Sequence, residues 1–237
     1  MNNRIVKIND YMSYLPATED PLSADVGIVY TKAGTFFFDA GSSQEAFDLI
    51  KNTEGARHIV ISHFHTDHAA NIQKIVEGKN LRLTTVSLED IKNLTPETDT
   101  LTLGSFTYKK FGYGTNLRSL VNIETETLSG ELLSIQIGPF PSSHTKGSLY
   151  MMVNREYAFL GDGTYWNIHP DKRFYNVQIL KEEIDLLNKL QADKAVLSHA
   201  EPYIQKMDKV RTKLERIYSF RQEGNPEIDM TFLGRRQ

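Results

Sequence analysis

Cysteine is missing from the 237-residue sequence. Its absence removes disulfides, thiolate metal ligands and cysteine nucleophiles together. Any metal held by this chain must be held by nitrogen and oxygen. A surplus of positive charge is also missing: 27 Lys and Arg stand against 30 Asp and Glu, a net charge of -3. Proteins that gain affinity by neutralising phosphates usually carry a basic excess, so nucleic acid is not an expected partner. No run of about 18 apolar residues occurs, so no membrane span is expected. Met1 to Asp10 is polar and lacks the apolar core of a secretory signal, which makes the cytoplasm the expected location. No repeat and no Pro/Gly/Ser-rich linker divides the chain, so residues 1–237 read as one domain. The oligomeric state leaves no trace in the sequence.

The residues that are present suit a globular fold, with 40% hydrophobic and enough length for one sizeable core. Arg4–Ile8, Val26–Thr31 and Gly34–Asp39 read as strands, with a turn at Lys32-Ala33-Gly34. Ser43 reads as the N-cap of a helix carrying Ala46, Phe47 and Ile50. A short apolar strand, His58–Ile61, leads into His63-Phe64-His65-Thr66-Asp67-His68. A helix through Ile72, Ile75 and Val76 then ends near Gly78. Leu81–Val86 reads as a strand, and Thr98–Glu126 as short strands and loops. Leu132–Ile137, Ser148–Val153 and Tyr157–Leu160 are further strands. Val177, Leu180, Ile184, Leu187 and Leu190 form a helix stripe. Ala195–Ser198 is a short strand, and Met207, Val210, Leu214 and Ile217 mark a last helix. Residues 223–237 are expected to be a loosely ordered tail. This order predicts an α+β fold, an αββα sandwich of two mixed sheets packed face to face with helices outside.

The chemistry concentrates in His63-x-His65-x-Asp67-His68. Imidazole and carboxylate are zinc ligands, and closely spaced ligands lose little entropy on ordering. Residues two apart after a strand point the same way, so His63 and His65 can grip one ion. Asp67 and His68, at the start of the next helix, can reach a second. Random order would give this pattern in roughly one chain in 3,000.

These residues resemble the signature of the metallo-β-lactamase superfamily, and four further elements follow in that family's order. Asp39, in Phe-Phe-Phe-Asp-Ala-Gly, matches a carboxylate that supports the site from behind. His144, in Ser-Ser-His-Thr-Lys-Gly-Ser, matches the third histidine. Asp162, in Phe-Leu-Gly-Asp, matches the carboxylate that bridges two metals. His199, in Leu-Ser-His-Ala, matches the last histidine. The resemblance implies that His63, His65 and His144 hold one ion, that Asp67, His68 and His199 hold the other, and that Asp162 touches both. It implies two divalent ions, Zn²⁺ first, with Mn²⁺ or Fe²⁺ also suited to nitrogen and oxygen ligands. It further implies a hydroxide shared between the ions as nucleophile. His58 and His169 match no position of the signature.

Branches of the family differ at readable positions. True β-lactamases of this fold usually lack the bridging Asp, so Asp162 points away from them. Flavodiiron-type proteins place Glu where His65 stands. Nucleic-acid-processing branches carry large additional parts. Glyoxalase II-type thioesterases keep all seven ligands but add a C-terminal helical domain, for which little chain remains past His199. Tyr165, in Asp-Gly-Thr-Tyr, is similar to the Asp-x-x-Tyr of lactonases, where the phenol helps hold the substrate carbonyl. The expected function is hydrolysis of a small-molecule ester, thioester or lactone, with the metals and Tyr165 steadying the oxyanion and Asp67 or a metal-bound water passing a proton. A phosphodiesterase or nuclease, and a metal-bound ligand-binding protein with little turnover, are the alternatives. Lys146, beside His144, reads either as an anchor for a substrate carboxylate or as an exposed lysine.

Overall fold

A computed structural model describes residues 4–77, 91, 94, 99–199 and 201–231. The chain opens with β1 (Val6–Lys7), β2 (Met12–Leu15), the hairpin β3 (Thr18–Glu19) and β4 (Leu22–Ser23), then β5 (Val26–Thr31) and β6 (Gly34–Phe38). Helix α1 (Gln44–Asn52) follows, then β7 (Arg57–Ile61), α2 (Thr66–Ala69), α3 (Asn71–Glu77), β8 (Thr100–Gly104), α4 (Ser105–Phe111) and β9 (Thr115–Leu117). The second half contains β10 (Val121–Glu126), β11 (Leu132–Phe140), β12 (Ser148–Val153), β13 (Tyr157–Gly161), β14 (Asn167–His169) and β15 (Lys172–Asn176). It closes with α5 (Val177–Lys189), β16 (Lys194–Leu197), β17 (Ile204–Lys206), α6 (Met207–Tyr218) and β18 (Glu227–Asp229).

Two large sheets result, one in the order β1-β2-β5-β6-β7-β8-β9 and one in the order β10-β11-β12-β13-β16-β17. Both mix parallel and antiparallel pairs, for example β5 with β6 antiparallel and β6 with β7 parallel. Alternation along the strands sends one set of side chains between the sheets. Val29, Phe36, Phe38 and Val60 of the first sheet meet Ile123, Ile135, Met151 and Phe159 of the second in one buried cluster, and the Phe38 and Phe159 rings lie 5.8 Å apart. The outer face of the first sheet buries Phe37, Ile59 and Ile61 with Ala46, Ile50, Ile72 and Ile75 of α1 and α3. The outer face of the second buries Ala158, Leu160 and Ala195 with Leu180, Leu187, Val210 and Leu214 of α5 and α6. This is the expected αββα sandwich.

Local chemistry explains the helix ends. Ser43 caps α1 by accepting from the Ala46 amide at 3.2 Å, and Asn176 caps α5 by accepting from the Ile179 amide at 3.0 Å. No helix among the described residues is long and apolar enough to cross a membrane.

The structure departs from the expectations at several places. Ser105–Phe111 is a helix, within a stretch expected to hold only short strands and loops. It stops at Gly112, whose left-handed φ of 73° suits a residue without Cβ. The segment from Glu223 is not loose throughout, because Glu227–Asp229 pairs with Lys172–Asn176. Asn167–His169 joins them as a small third sheet. The expected strand Leu81–Val86, the helix end at Gly78 and residues 232–237 lie outside the described residues.

Candidate metal centre

The site sits on one edge of the sandwich, where loops of both sheets meet. His63 and His65 follow β7 directly. His65 occupies the N-cap position of α2, which puts Asp67 and His68 in its first turn. His144 comes from the β11–β12 loop, Asp162 follows β13, and His199 follows β16. The edge is fastened by the Leu149 amide donating to the Ser62 carbonyl at 2.8 Å. Gly161, just before Asp162, has φ 55° and presses so closely on Ser62 that a Cβ would lie 2.8 Å from that side chain. Both constraints require glycine there.

Two groups of donor atoms converge. Each has its members within 4.8 Å of one another: His63, His65 and His144 in one, Asp67, His68, Asp162 and His199 in the other. In the first, His63 Nε2 and His144 Nε2 lie 2.9 Å and 3.0 Å from His65 Nδ1. In the second, His199 Nε2 lies 2.8 Å from Asp67 Oδ2 and 3.3 Å from His68 Nε2. Asp162 Oδ2 stands 3.4 Å from both His68 Nε2 and His144 Nε2, so it faces both groups. Its other oxygen is buried with no hydrogen-bond partner among the described residues.

The far side of each ring shows which nitrogen carries a proton. His144 Nδ1 faces the Trp166 carbonyl at 3.1 Å and must donate to it. His63 Nδ1 meets Ser62 Oγ at 2.9 Å, and that hydroxyl donates to Asp39 Oδ2 at 2.9 Å. The Nε2 lone pairs of His63 and His144 therefore both point at the small space beside His65 Nδ1, a disposition that suits a shared cation. His68 Nδ1 donates to Asp39 Oδ2 at 2.7 Å, and Asp39 Oδ1 accepts from the Ser62 amide at 2.7 Å. Asp39 thus stands behind the site, as the family resemblance implies.

Electrostatics divide the groups. Burial, and then the neighbouring histidines, push His63 well below the usual imidazole range. Burial opposes charge on His68 too, but Asp39 and Asp162 outweigh it and hold His68 well above that range. A proton therefore sits where carboxylates surround an imidazole, the environment that also attracts a metal cation. Asp67 is depressed to about 2: burial raises it, but the His199 hydrogen bond and the His68 charge prevail. It is ionised at neutral pH, the form that ligates.

Other sequence-stressed residues take different places. Tyr165 does not face the cleft. Its phenol donates to the Ser198 carbonyl, and burial pushes its pKa well above the ordinary phenol value. The hydroxyl expected to steady an oxyanion is engaged with the backbone beside His199. His58 is buried against Phe36, between Thr100 Oγ1 at 3.0 Å and the Ala33 carbonyl at 2.9 Å. His169 is exposed on β14. The sequence reading missed Asp25, a buried carboxyl that burial lifts to about 7 while a Ser198 hydrogen bond partly counters the rise. A single acid inside Ser-Ala-Asp-Val carries no motif that reveals this. Asp25 and Tyr165 both hold Ser198, next to a His199 with a left-handed φ of 63°.

His65, Asp67, His144, Asp162 and His199 open onto a cleft of about 1050 Å³, with Lys146 and Glu201 at its wall. The sequence matches the metallo-beta-lactamase superfamily over residues 20–199, and the chain belongs to that superfamily. Its members are mostly metal-dependent hydrolases, typically dinuclear. No curated protein matches the sequence. Among solved structures, a B3 metallo-beta-lactamase with an active-site glutamic acid is 14% identical with a TM-score of 0.57, over 98% of this chain and 92% of that one. The inverting sec-alkylsulfatase Pisa1 from Pseudomonas is 14% identical with a TM-score of 0.60, over 91% of this chain and 41% of that one. A flavoprotein from Thermotoga maritima is 10% identical with a TM-score of 0.60, over 93% and 62%. At such identities the likeness is one of fold.

Proposed function

We propose that this chain hydrolyses small esters, thioesters or lactones with two divalent ions. His63, His65 and His144 would hold one ion, Asp67, His68 and His199 the other, and Asp162 would reach both. The observation that carries this reading is Asp162 Oδ2, 3.4 Å from a histidine of each group, at a cleft open to small molecules. The donor set of imidazole and carboxylate suits Zn²⁺ best and also Mn²⁺ or Fe²⁺. When bound, such ions bring the pKa of water to about 7 and polarise a carbonyl oxygen.

The chain's own residues supply placement. Asp39 and the Trp166 carbonyl fix the His68 and His144 rings, which leaves little reorganisation for catalysis. Asp67 lines the cleft and is the group we assign to carry a proton to the leaving group. The cleft favours a carbonyl substrate over a polyanion, because Lys146 is matched there by Glu19 and Glu201.

Metal analysis of the purified protein, paired with lactone, thioester and phosphodiester substrates, tests the proposal. Two ions per chain and preference for one carbonyl class are expected. Fewer than one ion on active protein would overturn the ligand assignment. Full metal content without turnover would leave a binding role, and preference for the phosphodiester would make it a phosphodiesterase.

A further inference from the structure

Eight large hydrophobic side chains are exposed among the described residues, and three of them, Leu22, Phe106 and Ile168, line the one cleft above the metal centre. They are 55%, 41% and 66% exposed. They come from β4, α4 and β14, so no single amphipathic stripe explains their meeting. Phe64 joins them at the cleft. It lies between His63 and His65 in sequence, and its ring centroid is 5.1 Å from that of Phe106.

The placement of Phe106 is built into the backbone. Gly104, just before α4, lies so close to Gly147 that a Cβ on it would fall 1.5 Å from the Gly147 carbonyl oxygen. A Cβ on Gly147, which has φ 76°, would lie 2.6 Å from the Phe106 amide nitrogen. Two bare glycines thus let the start of α4 press against the loop that carries His144. That contact holds an aromatic ring over the cleft at the cost of leaving it in water. Exposed apolar side chains gathered on the wall of one cleft mark a ligand groove or an interface.

We infer that the substrate carries an apolar tail of several carbons, which lies against Phe64 and Phe106 and between Leu22 and Ile168 while the scissile carbonyl reaches the metal centre. The inference rests on the hydrolase reading above and specifies its substrate class. Continuity decides the occupant. The apolar rim begins at Phe64, the residue between two proposed ligands, so a molecule held at the metals extends directly onto it. Complete burial of a methylene is worth about fourfold in affinity, and a wall on one side roughly twofold.

The test uses metal-loaded full-length protein and two substrate series, ethyl thioesters from acetyl to octanoyl and γ-lactones with matching side chains. In the series that is hydrolysed, kcat/KM should rise about twofold per methylene. Phe106→Ala and Ile168→Ala should each flatten that rise, while Leu132→Ala, at an exposed apolar residue of β11 away from the cleft, should leave it unchanged. A flat profile in the parent protein, or an unchanged slope in Phe106→Ala, would overturn the inference. If neither series is hydrolysed, and the matching ethyl esters are not either, the hydrolase reading fails by itself. Calorimetric titration with octanoate and acetate then still tests the rim, and equal affinities for the two would overturn it. Dimerisation in sedimentation that Phe106→Ala abolishes would also overturn it, by assigning the rim to a second copy of the chain.

Discussion

Two carboxyl groups, Asp39 at the metal edge and Glu183 under helix α5, are both entirely buried, and their surroundings are opposite. Asp39 accepts from the Ser62 amide, the Ser62 hydroxyl and His68 Nδ1. Neither oxygen of Glu183 has a hydrogen-bond partner among the described residues. Burial pushes Glu183 well above the usual carboxyl range, and the Lys213 charge only partly counters it. The contrast shows that burial alone does not identify a functional acid. Asp39 is surrounded by groups that need it, whereas Glu183 is a carboxyl without a hydrogen-bond partner among the described residues, set within an apolar helix layer.

The site side of that comparison should break most severely at His65. His65→Ala removes the nitrogen that His63 and His144 both face, so bound metal and hydrolysis should fall together, the rate by at least about a thousandfold. Retained metal content, measured by mass spectrometry of the desalted protein, would contradict the assignment.

Asp39→Asn comes next. Asp39 has a left-handed φ of 69°, which Asn tolerates, so the exchange tests the carboxylate rather than the backbone. Metal affinity should drop about 10–100-fold in competition with a chelator.

Glu183→Met should act in the opposite direction and stabilise the fold by about 1–2 kcal/mol, a rise in Tm of roughly 2–8 °C. The sign of its pH dependence follows from the raised folded-state pKa. Below the ordinary value of 4.5 both folded and unfolded chains hold the proton. Above it the unfolded chain releases the proton first, so the parent protein loses stability as pH rises. The advantage of Glu183→Met in urea melts should therefore widen from acid to neutral pH, and a constant difference would show that Glu183 keeps its ordinary pKa.

The smallest effect is expected at Tyr165. A phenol that only holds the Ser198 carbonyl should cost no more than about tenfold in kcat/KM when changed to Phe. An oxyanion donor would cost about a hundred- to a thousandfold.

The parts of the site that were legible from sequence lie on short chain segments with fixed direction. His63, His65, Asp67 and His68 fall on one strand end and one helix start, so their spacing already states their geometry. Asp162 and His199 are readable only through the family resemblance, because they follow the His63–His68 motif in that family's order. What stayed hidden depends on distant chain. Helix α4 has the sequence Ser-Phe-Thr-Tyr-Lys-Lys-Phe, whose aromatic and β-branched residues favour strands, and its contact with Gly147 lies far away in sequence. Strand β18 pairs with β15 across some fifty residues, with no local signal beyond a short polar run. The Tyr165 phenol and the Asp25 carboxyl both meet Ser198, which is far from either in sequence.

Each donor group draws members from both halves of the chain. His63 and His65 follow a strand of the first sheet and His144 lies between two strands of the second, while Asp67 and His68 face Asp162 and His199 in the same way. Neither half alone owns a complete set of ligands. A metal ion at this edge would thus report that the two halves have docked in register, much as a latch closes only when both leaves of a door are aligned.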